Sequence, residues 1–192
     1  MHGEYAQLLA VRAMIHPMPE ERAWEEVELE RHRAREMLDL HEGSGQVPVL
    51  DAEAALDVLD RSRRICVVGA SPDPLRASHG VMRYLIQQGY ECVPVNPNAR
   101  EVLGLPTFRT VEEAAAETGP FDIVDVFRRA EHTPELARSA VAIGARALWL
   151  QLGVVSWTAA QIAHDGGLAV VMDRCTAMDH RRLRERRRAQ EG

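Results

Sequence analysis

The stretch RICVVGASPDPLRASHGV, residues 64–81, decides how the rest of the chain is read. Ile65–Val68 is short, continuously apolar and mostly β-branched, as in a strand covered on both faces. Gly69 follows it where a strand turns towards a helix, and such a turn presents open amides to an anion. A dinucleotide-binding turn would reach its third glycine within the compact pattern G-x-G-x-x-G, yet after Gly69 no glycine occurs until Gly80. The turn is longer than that fingerprint and carries Arg76. Ala70 and Ser71 offer amides on small side chains, and Ser78 is the expected N-cap of the next helix.

Working outward, further apolar runs stand at 91–96, 121–127, 146–153 and 167–173. Helical segments are expected between them near 79–88, 110–118, 133–143 and 157–165, and a further helix opens at Asp51 as its N-cap. Thr110 and Thr133 stand where N-caps belong, and Gly89 and Gly144 where helices end. Strands alternating with helices predict an α/β fold, an open doubly wound sheet of about five mainly parallel strands. Ligands of such sheets bind beyond the carboxyl ends of the strands, where the strand order reverses.

That rule selects the candidate residues. Besides the glycine turn they include Asn96 and Pro97, which stand where a nicotinamide site usually places an acid for the ribose. Arg100 lies close by in the chain. Phe127 and Arg128 end the run FDIVDVFRR, one suited to packing on a base and the other to facing a phosphate. Gln151 ends WLQ, where a buried amide needs a partner. Asp173 and Arg174 read as a structural pair, and Cys175 has no histidine placed to activate it. No catalytic residue is assigned.

Composition narrows the function further. The chain has 192 residues, 46% hydrophobic and 27% charged, which suits one domain with an appendage. All 23 basic residues are arginine, so a Walker A lysine, a Schiff-base lysine and a lysine base are excluded together. The net charge of −6 argues against a nucleic-acid binder. Cys66, Cys92 and Cys175 are too dispersed for a disulfide framework or a zinc site, and the eight histidines form no metal-binding spacing, so no metal is expected. No long apolar run or secretory leader is found, and a cytoplasmic protein is expected.

The organisation expected is a helical N-terminal extension over 1–45, the α/β domain over 46–183 and a basic tail over 184–192. Within the extension, Tyr5, Leu8, Leu9 and Ile15 form an apolar-periodic stretch. A second stripe of Trp24, Val27, Ala34, Met37 and Leu38 lies on a charged helix that could pack against its own domain or a twin subunit. RRLRERRR, 181–188, reads as a solvated helical tail that could pair with the acidic 20–42 segment.

Together the segments VVGASPDPLRASHGVMRYLIQQGYECVPVNPN, VDVFRR, ALWLQLGV and VVMDRC-x-x-x-x-H-x-x-L resemble the CoA-binding domain family. Its small stand-alone members are similar to the Rossmann-like CoA-binding domain of the succinyl-CoA synthetase alpha subunit. The resemblance covers about residues 52–183 and implies a Rossmann-like fold with coenzyme A or an acyl-CoA as ligand. It implies that Gly69, Ala70, Ser71, Arg76 and Ser78 hold the pyrophosphate region. Asn96 and Pro97 would border the adenosine, and Val126, Phe127, Arg128 and Gln151 would line the remaining crevice. Thr176 stands where many relatives have an apolar residue, which affects the shape of the last loop. The family transfers no catalytic residue, so a non-catalytic binding module is expected. The alternatives are an NAD(P)-binding oxidoreductase using the same crevice and an interaction protein acting through its N-terminal helices, with possible homo-oligomer formation through them.

Overall fold

A computed structural model describes residues 19–45 and 47–191. The apolar stretch containing Tyr5, Leu8, Leu9 and Ile15 lies outside the described residues, as does the side chain of Trp24. Helix α1, Pro19–Glu42, belongs to one compact unit and the residues from Gly43 onward to another. On α1, Val27 and Leu38 are exposed, and local ion pairs join Arg31 to Glu28 and Arg35 to Asp39. Exposed pairs of this kind contribute little individually.

The second unit is the expected doubly wound sheet. Its parallel strands are β1 (Arg64–Val68), β2 (Glu91–Val95), β5 (Ile123–Val126), β6 (Ala147–Leu150) and β7 (Ala169–Val171), in the order β2-β1-β5-β6-β7. A two-residue hairpin, β3 (Glu101–Val102) with β4 (Leu105–Pro106), was not expected. Strands this short carry no readable period. The helices are α2 (Ala52–Arg61), α3 (Ala77–Gln87), α4 (Val111–Thr118), α5 (Thr133–Ala142), α6 (Trp157–Asp165) and α7 (Thr176–Glu191).

The apolar runs are continuous because both sheet faces are covered. Ile65, Val67, Ile123, Ala147, Trp149 and Val171 join one core with Leu56 and Leu59 of α2, Met82 and Leu85 of α3, and Leu183 of α7. On alternate positions Cys66, Val68, Val124, Val126, Leu148 and Leu150 are equally buried, and α4, α5 and α6 supply buried Ala114, Ala137, Ala140, Ala159 and Ala163. Small helix residues let these three helices approach the sheet closely.

Several local expectations are met. Asp51 accepts from the Ala54 amide at 2.9 Å, and Thr110 from the Glu113 amide at 3.1 Å. Gly89 and Gly144 take φ of 90° and 68° just beyond their helices, where a left-handed residue ends a helix at least cost. Two caps are corrected. Ser78 is the second residue of α3 and buried, and the N-cap is Arg76, without a side-chain cap bond. Thr133 is the first residue of α5, and its hydroxyl donates to the Ala130 carbonyl because a 3₁₀ turn, Ala130–His132, precedes the helix.

The basic tail continues α7, and its arginines find partners inside the domain. Arg186 pairs with Glu53 at 3.1 Å and Asp57 at 2.8 Å, Arg187 pairs with Asp60, and Arg184 donates to Gln88. Arg181 lies over the Tyr84 ring at 4.7 Å. These guanidinium groups dock α7 on α2 and α3, which a sequence-local view of a charge run does not reveal.

Candidate functional site

The strand order reverses between β1 and β5. After β1 the chain passes to α3 on one face of the sheet, and after β5 it passes to α5 on the other. The loops Gly69–Arg76 and Phe127–His132 therefore diverge and leave a crevice between them.

Gly69 is required there by its backbone. Its φ is +83°, and its amide donates to the Val95 carbonyl at 2.9 Å. A Cβ at this position would lie 2.8 Å from the Phe127 carbonyl oxygen and 3.1 Å from Cδ of Arg128. The space a side chain would take is thus filled by the opposing loop, so the glycine brings the two strand ends together. Beyond it the loop is organised by its own polar groups. Ser71 Oγ accepts from the Asp73 amide at 3.2 Å and Asp73 Oδ1 from the Leu75 amide at 2.9 Å, while Nδ1 of His79 meets the Ser71 carbonyl at 3.0 Å. Arg76 is exposed and faces Asp73 at 3.9 Å.

The cleft itself has a volume of about 290 Å³, at the lower end for ligand sites. Val68, Gly69, Val95 and Pro97 line it from the strand ends, Arg109 to Glu112 from the start of α4, and Arg128, His132, Glu135, Leu136 and Ser139 from the opposite wall. Arg109 and Arg128 are exposed, and neither guanidinium makes an ion pair among the described residues. The polar surroundings of Glu112, Ser139 foremost, hold its carboxyl below the usual carboxylate range, against a smaller opposing effect of burial.

Of the residues selected from sequence, Gly69, Pro97 and Arg128 line this cleft together. Ala70, Ser78 and Val126 are buried beside it. Asn96 spends its amide on the Ala70 carbonyl at 2.7 Å, and its Oδ1 accepts from the Asn98 amide, so it fastens the end of β2 to the glycine turn. Phe127 packs partly against the core, and its amide donates to the Val68 carbonyl.

Gln151 has its partner inside the domain. Its Nε2 donates to Asp125 Oδ1 at 2.8 Å and contacts Thr176 Oγ1 at 2.9 Å, and Thr176 donates to Asp125 Oδ2 at 3.0 Å. Asp125 is fully buried, and desolvation pushes its carboxyl up to about 7 despite the hydrogen bonds from Gln151 and Thr176.

Asp173 and Arg174 are structural, although they serve different partners. Asp173 accepts from the Gly153 amide at 2.7 Å, while Arg174 grips nearly buried Asp179 through two bonds of 2.7 and 2.8 Å. Burial raises the thiols of Cys66 and Cys92, the latter to about 12, which suits packing rather than nucleophilic attack.

Arg109, Val111, Glu112, His132, Glu135, Leu136 and Ser139 were not anticipated at the site. The hairpin explains the first three. After it, Phe108 bridges to Val95 and its carbonyl accepts from the Asn96 amide at 2.9 Å, so the returning chain delivers Arg109 to the strand ends. The T-x-x-E capping box at Thr110–Glu113 marked where α4 begins, but only the return beside β2 carries that turn to the cleft. Among the described residues no group of three His, Cys, Asp or Glu could hold a metal ion, and no helix is long and apolar enough to cross a membrane.

Comparison with known proteins agrees with this geometry. The family described as CoA binding domain matches residues 63–181. The uncharacterised protein YneT of Bacillus subtilis (strain 168) is 40% identical over 124 residues, 65% of this chain and 90% of that protein. A solved structure of a hypothetical protein from Pyrococcus horikoshii OT3 is 33% identical with a TM-score of 0.66, covering 72% of this chain and 97% of its own. The apo dinucleotide-forming acetyl-coenzyme A synthetase 1 of Ca. Korarchaeum cryptofilum shares the fold at 21% identity and a TM-score of 0.51, over 60% of this chain and 27% of that one.

Proposed function

The chain belongs to the CoA-binding domain family, and from that membership we propose that it binds coenzyme A or an acyl-CoA at the carboxyl ends of β1, β2 and β5, without catalysing a reaction. The observation that carries this reading is the pair of ion-pair-free guanidinium groups, Arg109 and Arg128, on a cleft walled by Val95, Pro97, Val111 and Leu136. Coenzyme A combines a flat apolar base with a ribose phosphate and a pyrophosphate, and arginine is the side chain suited to phosphate oxygens. The cleft takes the nucleoside end. The phosphates run towards Gly69, Ala70 and Ser71 and the start of α3, where Arg76 and the uncapped first-turn amides including Ser78 favour negative charge. Asn96 and Val126 support this surface from behind, while Phe127 and Gln151 extend the crevice along the sheet.

The same reading places the protein in the cytoplasm as a homo-oligomer that associates through α1, whose Val27, Leu29 and Leu38 are exposed. Native mass spectrometry with coenzyme A, NAD, NADP and ATP at equal concentration reads ligand and subunit number in one spectrum. A coenzyme A adduct on a multimer is expected, with NAD and ATP at background. A coenzyme A adduct no stronger than that of NADP would refute the ligand assignment, and a monomer throughout would refute the assembly.

A further inference from the structure

Helix α1 has two unlike faces. Glu36, Met37, Asp39 and Leu40 are half-buried on one side, while Val27, Arg31, Ala34 and Leu38 are exposed on the other. Steps of four, three and four residues keep the exposed set on one line along the helix, the repeat of a seam between two helices. Leu29, although exposed, stands on the opposite side from Val27. Three members of the line are apolar. The fourth, Arg31, is charged, and its guanidinium lies 3.5 Å from Glu28 of the same helix. Glu28 and Arg35, seven residues apart, flank the line on the same side.

We infer that this line is the surface on which two copies of the chain associate, with their α1 helices antiparallel and Arg31 setting the direction. The inference rests on assembly through α1 and adds its geometry. In a parallel two-fold pair each seam residue meets its own counterpart, so two Arg31 guanidinium groups face each other at a cost in stability. Turned antiparallel about the midpoint of Arg31 and Ala34, Val27 meets Leu38 of the second copy and Arg31 meets Ala34. The small alanine leaves room for the arginine stem to lie along the seam with its charge in water. The same rotation brings Glu28 opposite Arg35 of the second copy, and the two-fold axis makes that pair twice. Flanking ion pairs of this kind select partner and orientation.

Disulfide cross-linking of the full-length chain tests the arrangement. All variants carry Cys175→Ser, since Cys66 and Cys92 are buried. Val27→Cys and Leu38→Cys proteins are oxidised separately and as a mixture. In the antiparallel pair the two positions 27 lie about 16 Å apart along the axis, far beyond the roughly 7 Å that a disulfide spans between Cα atoms. Cross-linked dimer in the mixture is therefore expected to exceed that of either protein alone by at least about 10-fold. Cross-linking of each protein alone at or above the level of the mixture would overturn the antiparallel direction while leaving assembly through α1 in place. Arg31→Leu added to each protein should let the single-protein cross-links appear, and their continued absence would overturn the role of Arg31. No cross-link in any sample would overturn the seam, and a wild type that is monomeric in native mass spectrometry would overturn assembly through α1 with it.

Discussion

Asp125 shows how one residue can look like part of a site and serve the fold. It stands two positions before Phe127 in a strand that ends at the crevice, yet its carboxyl is enclosed by Gln151 and Thr176. Its ordinary value is 3.8 and its value in the fold is about 7. Below about 4 it is protonated whether folded or unfolded, and its burial carries no ionisation cost. As pH rises from 4 to 7 the unfolded chain ionises first, so stability falls, and above 7 the loss is complete. Urea denaturation between pH 4.5 and 8 should therefore show a decline on the order of 2–4 kcal/mol attributable to this group. In Asp125→Asn that decline should vanish, since the amide keeps one acceptor for Gln151 and offers a donor to Thr176. An identical decline in both proteins would assign it elsewhere. Gln151 was legible as an amide needing a partner, but the partners lie 26 and 25 residues away in the chain, a distance no local pattern spans.

At the scale of elements, the parallel strands were legible because burial on both faces leaves unbroken apolar runs, and the helices because caps and terminal glycines bracket them. The β3–β4 hairpin was not, and it is the element that turns Arg109 and Glu112 into site residues. Helix α7 is the second instructive case. Read as charge alone, its arginines suggest a solvated tail or a nucleic-acid contact, whereas Arg186 and Arg187 are engaged with Glu53, Asp57 and Asp60 of α2. The hydroxyl of Tyr84 meets Nδ1 of His180 at 3.1 Å beneath them, and burial followed by the charges of Arg184 and Arg187 lowers the imidazole from its ordinary value. Reversing one charge in this cluster, Asp57→Arg, replaces attraction with repulsion towards Arg186. It should lower the midpoint of urea denaturation at low salt, and the deficit should shrink at 1 M salt, where exposed charges are screened. A deficit independent of salt would mean that packing, not charge, holds α7.

At the scale of the molecule, an acidic protein without lysine places two guanidinium groups that make no ion pair among the described residues, Arg109 and Arg128, on one crevice. The net charge of −6 would repel a polyphosphate ligand, so arginines at the strand ends must supply the local attraction. Strand order fixes where the crevice opens, and the glycine turn fixes how closely its two sides approach. Coenzyme A binding at that place is tested most directly by calorimetric titration of coenzyme A into the wild-type protein and into Arg109→Ala/Arg128→Ala. The wild type should bind, and the double variant should bind at least about 100-fold more weakly at unchanged melting temperature, since each charge-assisted hydrogen bond contributes about 1.5–3 kcal/mol and two are removed. Equal affinity in the two proteins, or no binding by the wild type, would contradict it.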